Sequence, residues 1–494
     1  MKLRIKNFNW IAGRPVVILN EETAKRLNVF ANDRIAITFP KKVYAVVDIF
    51  PKLVKKNEIG LSEELSKVIG LKNKTYIEVS VSELSDATYI IRKKMGGEDL
   101  TKKELNFLMS EIVHNNLTEA EIAYFTAAEK INGMSMKEII NLTKAMVKTG
   151  ARLKFNQKYI ADKHCIGGIA GNRTTPIVVS ICAEAGLTIP KTSSRAITSA
   201  SGTADVIETI SNIELSLKKI KSVVNKTGAC LAWGGSLGLA PSDDKIIRVE
   251  RLLNLDSEPQ LLASIMSKKI SAGSKYILVD IPYGKSSKVS TLKEAKRLAK
   301  KFGQIAKHFN LKLKSVYTKG SQPIGNGFGP VLEMKDVLKV LKNLPEAPQD
   351  LRDKSLYLSA ELMSLCGFKN SRKKAEEILS SGKAYEKFKE IINEQNGKED
   401  FDERIGLLKI ARRKKVIKAK RNSKITYISN KGINSICRIL GTPETASAGV
   451  YLHQHLGFIK RGDPIITLYS ESRSKIRDAK KYIKKYKPIT IKQY

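Results

Sequence analysis

Over the first 86 positions apolar and polar residues alternate. PVVILN, RIAITFP, YAVVDIF and YIEVSVS are short β-branched runs divided by charged turns, and a period of two is that of a half-buried strand. Residues 1 to 86 therefore predict a small β-rich domain. From Ala87 the period lengthens. ELNFLMSEIVHNN, EAEIAYFTAAEKING and MKEIINLTKAMVKTG carry apolar residues at helical spacing, which predicts three consecutive helices. They form a helical lobe over 87 to 155, completed by about 240 to 272. YIADKHCIGGIAGNRTTPIVVSICAEAG then reads as a strand, a glycine-rich loop and a helix entered through Asn172 with Pro176 in its first turn. TIPKTSSRAITSASGTADVIETI repeats the order, as does KYILVDIPYG with TLKEAKRLAKKFGQIAKHF. This predicts an α/β lobe with a central mixed sheet over 156 to 239 and 273 to 424. SKITYIS, DPIITLYS and one more helix predict a C-terminal α+β domain over 425 to 494. The fold class expected is α/β multidomain.

Charge changes this picture little. Lys and Arg number 88 against 49 for Asp and Glu, a formal net charge of +39, which suits anionic substrates or a polyanionic partner. The lysines are spread along the chain, with short clusters at RRKK (412 to 415) and KKYIKKYK (480 to 487). A nucleic-acid footprint would concentrate on one stripe, so nucleic acid is not the expected partner. Five cysteines stand apart with no C-x-x-C pair, which reads as a reducing compartment without structural zinc. His453 and His455, two apart, make a poor ligand pair, and no metal site is expected. No run of about 18 apolar residues occurs, and the first residues lack the apolar core of a signal peptide. The expectation is a cytoplasmic protein with no membrane partner.

Candidate chemistry lies in the loops. SSRAITSASGTADVIE (193 to 208) gathers six hydroxyls, the backbone around Gly202 and the fork of Arg195, all donors suited to phosphate oxygens or sugar hydroxyls. A plain loop with a Ser/Thr cap before a helix near Ala204 is the alternative. KHCIGGIAGNRTT brings Lys163, three glycines, Arg173 and two threonines ahead of another helix, where unpaired N–H groups and the helix dipole favour an anion. The spacing is not that of a P-loop. Two such loops at successive strand ends point to one phosphate-binding crevice. In LLNLDSEPQLLASIMSKK, Asp256 precedes an apolar helix and is either its N-cap or a catalytic carboxyl. His164 is a reserve candidate for acid chemistry.

The ordered motifs DKHCIGG, SSRAITSASGTADVIE, LLASIMSKK and QPIGNG resemble those of the nucleoside phosphorylase class that includes thymidine phosphorylases. The likeness runs from IIRKKMGGEDLT at 90 to the C-terminus, where GVYLHQHLGFIKRGDPIITLYS is similar to the terminal domain of that class. Within the class, IAGNRTT, SSRAITS and the additional β module in front most resemble the archaeal AMP phosphorylase family. The resemblance implies a cofactor-free phosphorolysis of AMP by inorganic phosphate to adenine and ribose 1,5-bisphosphate, with CMP and UMP as further substrates, in a homodimer or larger homo-oligomer. It implies that Asp256 is the proton donor and that Gly168, Ser194, Arg195, Ala196, Ile197, Thr198, Ser199, Thr203, Ser264 and Lys288 bind the nucleotide. It implies further that Lys163, Thr175, Ser193 and Thr203 hold the attacking phosphate. Being basic, Arg195 and Lys288 can neutralise the two phosphate groups that meet when AMP is the substrate, and residues 1 to 86, which contain no loop like the phosphate cradles, are expected to serve assembly. Two positions depart from the thymidine enzymes. Cys165 replaces a serine of the phosphate site, and Val249, with Arg248 beside it, replaces a base-reading arginine. A pyrimidine nucleoside phosphorylase is the alternative within the class, and a basic nucleic-acid-binding protein the alternative outside it.

Overall fold

The computed structural model describes the whole chain except residues 9, 40, 71–72, 82–85, 197–198, 254, 398–399 and 494, with the side chains of 39, 41 and 493 also left aside. It divides into two compact units, Met1–Thr149 with Pro241–Leu261, and Gly150–Ala240 with Leu262–Tyr494.

In the first unit the alternating runs become the strands Lys2–Asn7, Val16–Leu19, Arg34–Phe39, Lys41–Ile49, Glu58–Leu61 and Tyr76–Val81, closed into a barrel. Closure leaves no unpaired edge. Ile5, Leu19, Ile37, Val47, Ile59 and Val79 fill its interior. Four consecutive helices follow rather than three: Asp86–Met95, Lys102–Val113, Glu119–Asn132 and Met136–Thr149. The helix missed by periodicity has a short buried face in which Lys94 stands among Ala87, Ile90 and Ile91. Lys94 is fully buried and paired with Glu138 at 2.9 Å, so a charge occupies a core position. Two helices open on capping boxes, Thr101 with Glu104 and Thr118 with Glu121, which satisfy their first N–H groups. Pro241–Leu253 joins this bundle.

In the second unit Ala161–Cys165, Tyr276–Tyr283 and Lys312–Lys319 pair side by side in parallel. Ile189–Ser193 and Ala229–Trp233 form a second parallel pair, tied to the first through a bridge between Ile160 and Thr188. The mixed sheet expected here is corrected, since every described pairing among these strands is parallel. Helices between successive strands carry the chain back before each new strand starts, and such crossovers make parallel neighbours. Ile177, Ile181, Leu278, Val337, Leu358 and Phe388 belong to its core. The helix Thr174–Glu184 is capped at Arg173, not entered through Asn172; Asn172 instead takes the left-handed conformation at φ 52°, which turns the chain before the helix. The C-terminal part has two antiparallel sheets and the helices Asn430–Leu440 and Arg473–Tyr486. One of these sheets draws in Gly327–Phe328 and Arg413–Lys418 from earlier in the chain. Among the described residues no helix is long and apolar enough to cross a membrane.

Candidate phosphate-binding site

The strand Ala161–Cys165 carries Asp162, Lys163, His164 and Cys165. Asp162 is fully buried between two ammonium groups, Lys191 at 2.9 Å and Lys269 at 2.6 Å. Lys191 also donates to the carbonyl of Lys163 at 2.7 Å. Side chains alternate across a strand, so Lys163 points to the opposite face, where it is buried and donates to Thr174 Oγ1 at 2.6 Å. The neighbouring strand supplies Asp280, bound by Lys354 at 2.9 Å and by Thr318 at 2.6 Å. Four lysines thus face two carboxylates. Buried charge without a counter-charge is costly, and the excess here is positive.

Ionisation follows from that excess. Burial pushes the pKa of Lys163 down, against the attraction of Asp280, and burial brings Lys269 down to about 7 despite its contact with Asp162. Burial alone would raise Asp162, but Lys191 and Lys269 outweigh it and hold its carboxyl low. His164 is driven well below its ordinary value by burial and by Lys269, Lys191 and Lys163. The imidazolium form is thereby disfavoured, which weakens His164 as the reserve acid. An anion on the Lys163 face of the strand would relieve that ammonium group.

Two loops frame this floor. Gly167 and Gly168 lie at φ 90° and 89°. A Cβ on Gly168 would fall 2.7 Å from the backbone nitrogen of Lys288, so the missing side chain lets the loop turn against Lys288 and brings two expected nucleotide positions together. In the second loop a Cβ on Gly202 would meet the Ser194 carbonyl at 2.4 Å. Asp205 accepts from the N–H groups of Ala196 and Gly202, both at 2.7 Å, and folds the loop onto the helix Thr203–Glu208. Arg173 joins the two loops: it donates to Thr203 Oγ1 and to the Ser201 carbonyl, each at 2.9 Å, and pairs with the buried Glu333 at 2.6 Å. Thr175 lies buried in the first turn behind Thr174. The hydroxyl of Ser193 is buried with no hydrogen-bond partner among the described residues, which leaves it able to bond a bound oxyanion.

The expected phosphate residues Lys163, Thr175, Ser193 and Thr203 all belong to this unit, as do Gly168, Ser264 and Lys288. Ser199 donates to the Ser201 carbonyl at 2.7 Å and Ser194 is exposed. Ile197 and Thr198 lie outside the described residues. Arg195 requires a correction. Its fork is taken by Glu208, with Nη2 at 2.7 Å from Oε1 and Nη1 on Oε2. Asp205 and Glu214 stand at 3.4 and 3.6 Å, and the guanidinium lies 4.8 Å over the Trp233 ring. Three carboxylates within reach of one guanidinium leave no fork to offer a phosphate. Asp256 belongs to the first unit; it is exposed, and its carbonyl accepts from Lys130 Nζ at 2.8 Å. The following helix begins at Glu258 and its first bond runs from Leu261 N to the Ser257 carbonyl. Ser257 thus holds the backbone cap position of that helix, one residue after Asp256. Sequence reasoning missed Asp162, Lys191, Lys269, Asp280 and Lys354. The available signal was a lone charge inside an apolar run, as in TIPKTS and YILVDIPY.

Residues 88–150 match the glycosyl transferase family helical bundle domain, and residues 157–385 match the glycosyl transferase family a/b domain. The chain is 41% identical to AMP phosphorylase of Pyrococcus furiosus, across 99% of this chain and 98% of that one. It is 39% identical to AMP phosphorylase of Methanocaldococcus jannaschii, across 96% and 95%. The chain belongs to the AMP phosphorylase family. The N-terminal barrel precedes both domain matches yet lies within the nearly full-length likeness to these AMP phosphorylases. Anthranilate phosphoribosyltransferase of Thermus thermophilus shares the fold at a TM-score of 0.52 and 16% identity, covering 62% of this chain and 99% of that one.

Proposed function

We propose that the protein splits AMP with inorganic phosphate into adenine and ribose 1,5-bisphosphate. The observation that carries this reading is the buried positive excess at the strand that bears Lys163, in the unit where the Ser193 hydroxyl has no hydrogen-bond partner among the described residues. In this reading a phosphate oxygen bonds to C1′ as the bond from C1′ to the base nitrogen breaks. Lys163, Thr175, Ser193 and Thr203 fix the attacking phosphate, whose own charge supports the cationic sugar. Gly168, the backbone of 194–199, Ser264 and Lys288 hold the nucleotide. Asp256 gives the departing base its proton, at N7 for adenine. CMP and UMP are turned over by the same machinery. The protein works in the cytoplasm as a homo-oligomer, in keeping with Tyr89, Tyr124 and Ile131, which stand 74%, 58% and 80% exposed on the helical bundle, and the barrel serves that assembly. Release of free base from AMP, CMP, UMP and their nucleosides, with and without phosphate, tests the reading. Phosphate-dependent release from the monophosphates alone is the expected result, and turnover of thymidine or uridine in their place would make it a pyrimidine nucleoside phosphorylase.

A further inference from the structure

In the first unit a cavity of about 240 Å³ opens between the barrel and the helical bundle. Its wall carries four cations, Arg14 and Arg34 from the barrel side and Lys245 and Arg248 from Pro241–Leu253, with Glu119 as its one carboxylate among the described lining residues. Two of the cations are committed. Arg34 is bound by both oxygens of Glu121, and Lys245 donates to the carbonyls of Ile112 and Val113 at 2.9 and 2.7 Å and to Asn115 Oδ1. The partners of Lys245 are neutral, so its charge stays uncompensated, and burial with the nearby Arg248 brings its pKa down to about 8. Arg14 and Arg248 are exposed, and their guanidinium groups have no hydrogen-bond or ion-pair partner among the described residues. Setting Glu119 against Arg14, Lys245 and Arg248 leaves a local excess of two positive charges.

We propose that this cavity binds a small phosphate monoester, whose dianion matches that excess. The remaining wall suits the organic part of such a molecule. Tyr44, Val46 and Ile122 present an aromatic ring and two aliphatic chains, and the volume lies below the roughly 300–1,000 Å³ of cofactor-sized pockets, which favours a compact ligand over a dinucleotide. Both arginines can take a phosphate in forked geometry. Arg14 belongs to the barrel region and Arg248 to the bundle, so one bound monoester would tie the two together and stabilise the unit by mass action. This site is separate from the residues assigned above to phosphorolysis.

Calorimetric titration of the full chain with glycerol 2-phosphate, a monoester without base or ribose, tests the proposal. Arg14→Gln with Arg248→Gln should weaken binding about tenfold or more, while the limiting rate of adenine release from AMP stays within about twofold of the parent. Glu119→Gln should move the other way and tighten binding by about two- to fivefold, because it removes the one repelling carboxylate. That opposite sign separates ligand recognition from damage to the fold. Equal titration curves for the parent and the arginine variant overturn the proposal, as does weaker binding in Glu119→Gln. A parallel loss of adenine release in the arginine variant also overturns it, since the cavity would then belong to the catalytic machinery. Binding is read directly, so failure of the AMP reading would leave these titrations interpretable.

Discussion

The strand Ala161–Cys165 and the loop from Ser193 to Asp205 lie in the same unit, and each brings one basic residue to the proposed phosphate. Their chemistry is opposite. Lys163 is buried, its side-chain hydrogen bond goes to a neutral hydroxyl, and on its face of the strand two ammonium groups, its own and that of Lys354, meet the one carboxylate of Asp280. Arg195 is a third exposed and surrounded by Glu208, Asp205 and Glu214. An anion site requires cations that outnumber their counter-charges where water is excluded, and the strand meets that requirement while the arginine of the loop does not. The loop contributes hydroxyls and N–H groups, and its arginine holds the loop together.

Substitutions at the two places should separate widely. Lys163→Met keeps the volume and removes the central charge; AMP turnover should fall by roughly two to three orders of magnitude, the scale of losing a preorganised charge donor. Steady-state rates at varied phosphate check it, and a drop under about fivefold would mean that the floor is structural. Next in size, Asp256→Asn should slow adenine release by about ten- to a hundredfold and leave AMP binding intact. Turnover at the parental rate would refute Asp256 as the acid. His164 would be a poor heir to the role, because burial and the lysines around it disfavour its protonated ring.

The same depressed histidine gives a smaller effect, on stability. The unfolded chain takes up a proton at His164 near its ordinary value of 6.5 while the folded chain does not. Protons bound to the unfolded state destabilise the fold, so stability is lost as pH falls below about 6.5, by at most ~1.4 kcal/mol per pH unit. Denaturant midpoints between pH 7 and pH 5 should therefore drop less steeply in His164→Gln than in the parent, and identical slopes would show that the imidazole titrates normally. The smallest change belongs to Arg195→Lys. Turnover should move by less than about twofold, and stability by no more than ~1 kcal/mol, as for a partly exposed ion pair with a stacked ring. A tenfold loss of AMP turnover there would erase the distinction between strand and loop.

Much of the architecture was legible because it follows from local repetition. Val16–Leu19 and Tyr76–Val81 show as strands through β-branched residues and alternation, and Met136–Thr149 shows as a helix through its apolar stripe. Asp86–Met95 escaped because Lys94 interrupts the stripe, and only its distant partner Glu138 makes that position acceptable in a core. The site divides in the same way. Gly168 and Gly202 could be picked out because glycine-rich loops between strand and helix have a mechanism. The charged floor could not, since a lysine in an apolar run says nothing about what it meets.

Periodicity and the order of the loops therefore determined by themselves that this chain alternates strands with helices and which loops can turn closely enough to receive an anion. These depend on residues a few positions apart. Tertiary structure alone decided that the strands run parallel, that Arg195 is spent on Glu208, and that Asp162 and Asp280 are outnumbered by lysines. Arg173 shows the reason plainly, because the carboxylate that orients it, Glu333, is 160 residues away. The free energy of a buried charge depends on every charge within a few ångströms, and only folding brings those neighbours into place.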